Sequence, residues 1–277
     1  MRRSGGASSP PFRPALSSVF WGQADLKPQR SRYWLTAKPA DPADFAERVE
    51  AVCALYRAAP LLGALGVHVV STDAMTGIQA LERAAPTLPL RPGKVERREF
   101  AYVRQGTRSP SANFQVASGA VLAPSVGPTR TEADFAAHIE RTVATDPDAS
   151  GVFLVDQRNT HQAEGLVRLV ARAEGLTSDL GEQGQRGILH AMASRAAFRG
   201  APERRIQFVY LPKHTSWLNQ VELWFSILVR RLLQRASFAS TDDLRARLLA
   251  FIAYFNQTAK PFRWTYPGRV LTISTLG

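Results

Sequence analysis

Two apolar runs in the chain lead into a carboxylate: Val67-His68-Val69-Val70-Ser71-Thr72 ends on Asp73, and Gly151-Val152-Phe153-Leu154-Val155 ends on Asp156. Runs of this length and composition read as buried strands. In open α/β sheets ligands bind beyond strand ends, so two acids on neighbouring strands are placed to share one metal ion. Taken singly, each Asp is better explained as a cap on a strand or turn. A third acid shifts the balance. Glu222 follows an apolar stripe made of Trp217, Val221, Trp224, Phe225, Leu228 and Leu232, and on a helix it falls at the border of that stripe, beside Asn219 and Ser226. An acid at such a border can point over a sheet edge. Three carboxylates from separate elements supply the oxygen ligands that Mg²⁺ prefers and leave positions open for substrate. Two such ions, about 4 Å apart, activate a nucleophile and stabilise the leaving oxygen in phosphodiester chemistry.

The composition supplies a reason to expect a polyanionic partner. Lys and Arg number 35 against 23 Asp and Glu, a formal charge of +12. The only lysines are Lys27, Lys38, Lys94, Lys213 and Lys260, so the cationic surplus is almost all guanidinium, which suits bidentate phosphate contacts. Nucleic acid ranks ahead of a membrane surface, and a nuclease or polynucleotidyl transferase fits both charge and acids. The surplus lies at the ends: residues 201–277 hold 11 basic and four acidic groups, whereas 63–200 hold 15 and 14. Hydrophobic residues at 45% and charged residues at 21% exclude disordered, collagenous and coiled-coil classes. One cysteine, Cys53, excludes an internal disulfide and a cysteine-rich zinc site. The longest uncharged stretch, Ser109 to Thr129, is broken by Pro110, Pro124 and Pro128, and Arg2-Arg3 is followed by no apolar run. A cytoplasmic protein without a membrane segment is expected.

The elements that must position the acids follow from periodicity. A helix is predicted over Pro42 to Ala58, then strands over Val67 to Thr72, Phe100 to Arg104, Asn113 to Ala117 and Val121 to Ala123, with Ser118-Gly119 as a turn. Thr131 opens a helix, Gly151 to Val155 is a strand, and a helix follows over Gln162 to Ala173. A looser segment, 175–204, holds a short helix at Ile188 to Phe198, followed by a strand over Ile206 to Leu211. Ser216 to Arg235 and Asp242 to Gln257 are the last helices, the second capped by Ser240 or Thr241. Antiparallel strands followed by βαβ alternation predict an α/β fold with a mixed sheet flanked by helices.

Three segments resemble the acidic motifs of DDE transposases from bacterial insertion sequences of the mariner superfamily. Pro212-Lys213-His214-Thr215-Ser216-Trp217-Leu218-Asn219-Gln220-Val221-Glu222-Leu223-Trp224-Phe225 is similar to the third-acid motif, and the likeness continues through Ile252 to Tyr266. Ser71 to Arg83 resembles the first motif and Val155-Asp156-Gln157-Arg158-Asn159-Thr160-His161 the second. The resemblance implies a ribonuclease H-like fold, Asp73, Asp156 and Glu222 as catalytic metal ligands, and two Mg²⁺ or Mn²⁺ ions. It also implies cutting of DNA at terminal inverted repeats, joining of 3′ ends to target DNA, and a homodimer on DNA. By position, Asn159 and His161 would place DNA or a metal-bound water. Helix capping or packing is the other reading of His161, and the same choice stands for His214 and Asn219. Ala74 and Arg158 depart from the usual motif, and 175–204 resembles an insertion. The family's N-terminal helix-turn-helix has no counterpart, so residues 1–23 are expected to be a leader, 24–62 a remnant of the DNA-binding region with a helix, and 63–277 the catalytic domain. The alternative is a non-catalytic truncated remnant that binds DNA or an intact copy; a host nuclease of the same fold ranks third.

Further DNA contacts are assigned to basic residues. Arg97 and Arg98 belong to a cluster with Arg91, Lys94, Arg104 and Arg108 that could track phosphates, or form a solvated hairpin. Lys213 sits in the third motif. Arg230 lies at the far end of the Glu222 helix, where it also suits the helix dipole. Lys260 and Arg263, with Trp264 and Tyr266, could clamp and stack on DNA unless Trp264 belongs to the core.

Overall fold

Asp41 starts the first helix by accepting backbone hydrogen bonds from Ala43 and Asp44, with Pro42 at the first position, where its missing N–H costs nothing. This is a computed structural model; it describes Pro39 and residues 41–268, apart from the side chains of Asn159 and Thr160. The described residues lie within a unit spanning Ala37–Gly277. The predicted leader, 1–23, and residues 24–38 of the predicted DNA-binding remnant lie outside them. Helix α1 runs over Pro42–Ala64, through Pro60 and past the predicted end at Ala58. Its apolar face, Phe45, Val49, Val52, Tyr56 and Ala59, is buried, and that packing outweighs the one backbone bond lost at Pro60.

The sheet follows. Strands β1 (Val67–Ala74), β2 (Ile78–Arg83), β3 (Tyr102–Gln115) and β4 (Val121–Gly127) precede helix α2 (Glu132–Val143). Then come β5 (Ser150–Val155), α3 (Glu164–Ala173), α4 (Met192–Gly200), β6 (Ile206–Tyr210), α5 (Gln220–Leu228) and α6 (Thr241–Gln257). The order is β2-β3-β1-β5-β6, with β4 also on β3. β1 is central, antiparallel to β3 and parallel to β5, which is in turn parallel to β6. The predicted α/β fold, a mixed sheet flanked by helices, is therefore the fold observed.

Two predicted strands, Phe100 to Arg104 and Asn113 to Ala117, are replaced by one of 14 residues. Its outer half pairs with β2, which the periodicity did not reveal, and its inner half with β1 and β4. Ser109, Pro110, Ser111 and Asn113 read as a break, yet all are buried in this strand. Pro110 lacks an N–H, but its carbonyl still accepts from Met75. The Ser118-Gly119 turn is present. Gly119 has φ +76°, and a side chain there would meet the Lys260 carbonyl at 2.1 Å, so glycine is required by both backbone and space.

Alternation along β1 divides the core. Val70 belongs to a cluster with Phe153, Phe208, Ile139, Leu166 and Val170, under α2 and α3. Val69 points the other way, toward Val49, Val52 and Tyr56 of α1. On that same side Phe114, opposite Ser71, packs with Trp224, Phe225, Leu244 and Leu248 of α5 and α6.

Candidate active site

Register alone brings the first two acids together. Ser71 of β1 stands beside Leu154 of β5. With a side-chain period of two, Asp73 and Asp156 lie two residues further on the same face of neighbouring parallel strands. One ligand atom each from Asp73, Asp156 and His161 lies within 4.8 Å of the others. Asp73 is the penultimate residue of β1 and only 4% exposed; its Oδ1 accepts the Ala74 N–H at 2.7 Å. Asp156 begins the loop after β5. His161 Nδ1 stands 2.5 Å from its Oδ1, and Arg158 Nε 2.8 Å from its Oδ2.

Glu222 reaches this corner because its helix cannot start earlier. The predicted helix from Ser216 to Arg235 is instead a 3₁₀ turn at Ser216–Leu218, α5 from Gln220, and a π turn at Val229–Leu233. Asn219 between the first two is extended, at φ −77° and ψ 107°. Its buried amide is the cause: Oδ1 accepts from the Ser71 hydroxyl and Nδ2 donates to the Thr72 carbonyl at 3.4 Å. Ser71 Oγ in turn accepts the Val221 N–H at 2.8 Å, and the Tyr56 hydroxyl donates to the Leu218 carbonyl at 2.8 Å. β1 and α1 thus fix the N-terminus of α5, and Glu222 falls in its first turn.

Electrostatics couples the three acids. Burial, then the Asp156 charge, pushes Asp73 above the usual carboxylate range, and burial with the Asp73 charge does the same to Glu222. Burial also opposes ionisation of Asp156, but His161 and Arg158 outweigh it and hold this carboxyl below its ordinary value. Two acids that resist ionisation around one that is ionised form a site short of positive charge. The donors within 4.8 Å of one another are the Asp73 and Asp156 carboxylates and the His161 imidazole, a set that fits a divalent cation, while Glu222 is coupled to both acids but stands outside that group.

His161 is buried, and its ring stacks on Phe135 with centroids 4.1 Å apart. The turn that carries it, Asn159–Gln162, is held by its carbonyls. Tyr210 Oη donates to His161 O at 2.9 Å, Arg195 Nε to Gln162 O at 3.0 Å and Arg199 Nη1 to Ala163 O at 2.9 Å. Arg195 and Arg199 come from α4, in the 175–204 segment, where sequence reasoning placed no functional residue. Ser71 and Tyr56 were likewise missed as supports; the polar Ser71 within an apolar strand was the available signal. A cavity of about 420 Å³ adjoins the acids, lined by Ala74, Arg130, Phe135, Arg158 and His161 among others.

The residues assigned to DNA are less gathered. Asn219, for which the sequence leaves DNA positioning and packing both open, is buried and hydrogen-bonded within the protein. Arg97 and Arg98 are exposed on an arm between β2 and β3 that folds back through bridges Leu88–Arg97 and Arg91–Lys94; Arg98 pairs with Glu96. Lys213 and His214 are exposed in the loop after β6, His214 at φ +64°. Arg230 is exposed in the π turn, roughly 12 Å along the axis from Glu222. Lys260 and Arg263 are exposed beyond α6, while Phe262 stacks on Phe114 and Trp264 packs on Tyr56, so Trp264 is half-buried against the core. Trp217, 49% exposed, meets Tyr266 edge-on. No helix among the described residues is long and apolar enough to cross a membrane.

Comparison with known proteins places this corner in context. No curated protein matches the chain. Among solved structures, the Mos1 mariner paired end complex with Mn is similar at 10% identity and TM-score 0.48, covering 91% of this chain and 75% of that one. The catalytic domain of Mos1 mariner transposase is similar at 9% identity and TM-score 0.44, covering 79% and 85%. The family model for the DDE superfamily endonuclease matches residues 68–245, more than half of the chain and the whole span from Asp73 to Glu222. The chain belongs to the DDE superfamily of endonucleases.

Proposed function

We propose that this chain is the catalytic part of a DNA transposase, which cuts at terminal inverted repeats and joins the 3′ ends to target DNA. The observation that carries the reading is the placement of Asp73, near the end of β1, and Asp156, just past the end of the adjacent parallel strand β5, with ligand atoms within 4.8 Å and Glu222 coupled to both. Asp73, Asp156 and Glu222 would hold two Mg²⁺ or Mn²⁺ ions, which when bound lower the pKa of water and stabilise the departing oxygen. The chain's own residues do the rest. Before a metal binds, His161 and Arg158 hold the Asp156 carboxyl below its ordinary pKa, His161 orients it, and the Ser71–Asn219 link fixes the start of the helix whose first turn carries Glu222. Exposed cations, among them Arg97, Lys213, Arg230, Lys260 and Arg263, would engage phosphates, and the exposed Trp217 ring would offer a stacking surface. Cleavage of paired ends calls for two copies of the chain.

The test is purified protein with Mn²⁺ or Mg²⁺ and inverted-repeat DNA. Nicking at the repeat ends is expected, and Asp156→Ala is expected to abolish it while the far-ultraviolet circular dichroism stays unchanged. Nicking that survives in the variant refutes the assignment. Wild-type protein that binds DNA and never cuts it favours the non-catalytic remnant.

A further inference from the structure

The side chain of Arg158 occupies the gap that the metal reading reserves for a cation. Its Nε is 2.8 Å from Asp156 Oδ2 and its Nη1 is 4.0 Å from Asp73 Oδ1. These two acids are its ion-pair partners among the described residues. One guanidinium therefore sits between the two carboxylates whose register brings them together. A divalent ion taking oxygens from both would meet a like charge in the same gap, and two cations in a partly buried site repel strongly. Arg158 is not locked there: its side chain is 45% exposed and it lines the neighbouring cavity of about 420 Å³.

We propose that Arg158 is a displaceable counter-ion of the metal site: it neutralises Asp73 and Asp156 in the metal-free protein and moves into the adjoining cavity when a divalent ion enters. The site's cation affinity is then set by competition with this side chain. An incoming ion must out-compete a guanidinium, which a divalent ion does and a monovalent one does not, so the arrangement also sharpens selection for charge. The inference rests on the reading of Asp73 and Asp156 as metal ligands.

Calorimetric titration of the protein with MnCl₂, without DNA, tests it. Arg158→Met removes the competing charge, and about two- to fivefold tighter Mn²⁺ binding is expected, the equivalent of one half-exposed ion pair. Arg158→Lys, which keeps a charge, is expected to fall nearer wild type. The metal-free Arg158→Met protein is expected to melt lower than wild type and to gain more on adding Mn²⁺. Affinity in Arg158→Met equal to or weaker than wild type overturns the proposal. Asp156→Asn separates the two levels of argument. If wild type binds Mn²⁺, Asp156→Asn does not, and Arg158→Met leaves affinity unchanged, only the counter-ion role falls. If neither wild type nor Arg158→Met binds Mn²⁺, the metal reading of the acids falls with it.

Discussion

At the scale of single residues, two of the three acids are held in a state that opposes the fold. Asp73 and Glu222 titrate above their ordinary values, burial being the larger cause and mutual repulsion the next. Between the unfolded and folded pKa values the native protein binds more protons than the unfolded chain, so stability is lost as pH rises through that window. Asp156, held low by His161 and Arg158 against its burial, acts oppositely: its contribution is present above the unfolded pKa and is lost as pH falls through the folded one. At neutral pH the buried Asp73 is thus a cost that a bound cation would offset. Asp73→Asn keeps shape and the acceptor for the Ala74 N–H while removing the charge. It is expected to raise the Tm of the metal-free protein at pH 7 by about 2–4 °C, the shift that about 1 kcal/mol gives in a domain of this size. It should also abolish the further rise produced by Mn²⁺. Thermal melts at pH 5 and pH 7 check the sign, because the advantage of Asp73→Asn should shrink at the lower pH.

At the scale of elements, the strands that carry Asp73 and Asp156 are legible because they are short apolar runs, and α2 is legible through its Thr131 cap, which accepts from Asp134 N–H. β3 is not, because its inner half buries Ser109, Ser111 and Asn113, whose types read as loop. Polar residues enter a sheet core when partners there take up their hydrogen bonds, as Thr142 Oγ1 does for the side-chain NH2 of Asn113. Nor could helical periodicity show the stop at Asn219, since the apolar stripe continues on both sides of it. The interruption comes from a tertiary hydrogen bond to β1, and it decides where Glu222 points. Asn219→Ala leaves the Ser71 hydroxyl and the Thr72 carbonyl without that amide in a buried site, at a cost of about 2–3 kcal/mol. Urea denaturation should show this loss. The Mn²⁺ affinity of the folded variant should drop as well, because α5 is no longer tied beside Asp73. Undiminished Mn²⁺ affinity would show that Glu222 is positioned by the apolar stripe alone.

At the scale of the whole molecule, the charge of +12 is not spread evenly, and the exposed arm between β2 and β3 is where sequence left two readings open. Arg91, Lys94, Arg97 and Arg98 are all exposed there, beside Leu88, Leu90 and Val95, which are more than half exposed. Arg98 already has Glu96 as a partner, whereas Arg97 has no ion pair among those found in the described residues. If the arm tracks a DNA backbone, each phosphate contact releases counter-ions and steepens the dependence of affinity on salt by about 0.9 in the logarithmic slope. Arg97→Ala should therefore weaken binding to any duplex about equally, whatever its sequence, and flatten the slope by about 0.9. Arg98→Ala should have the smaller effect, because the Glu96 pairing must be broken before a phosphate can be engaged. Fluorescence anisotropy with an unrelated duplex and with inverted-repeat DNA, between 50 and 200 mM salt, measures both slopes. Two unchanged slopes would identify the arm as a solvated hairpin and move the DNA path to the exposed cations around Lys213, Arg230, Lys260 and Arg263, where Lys260→Ala in the same titration would carry the loss.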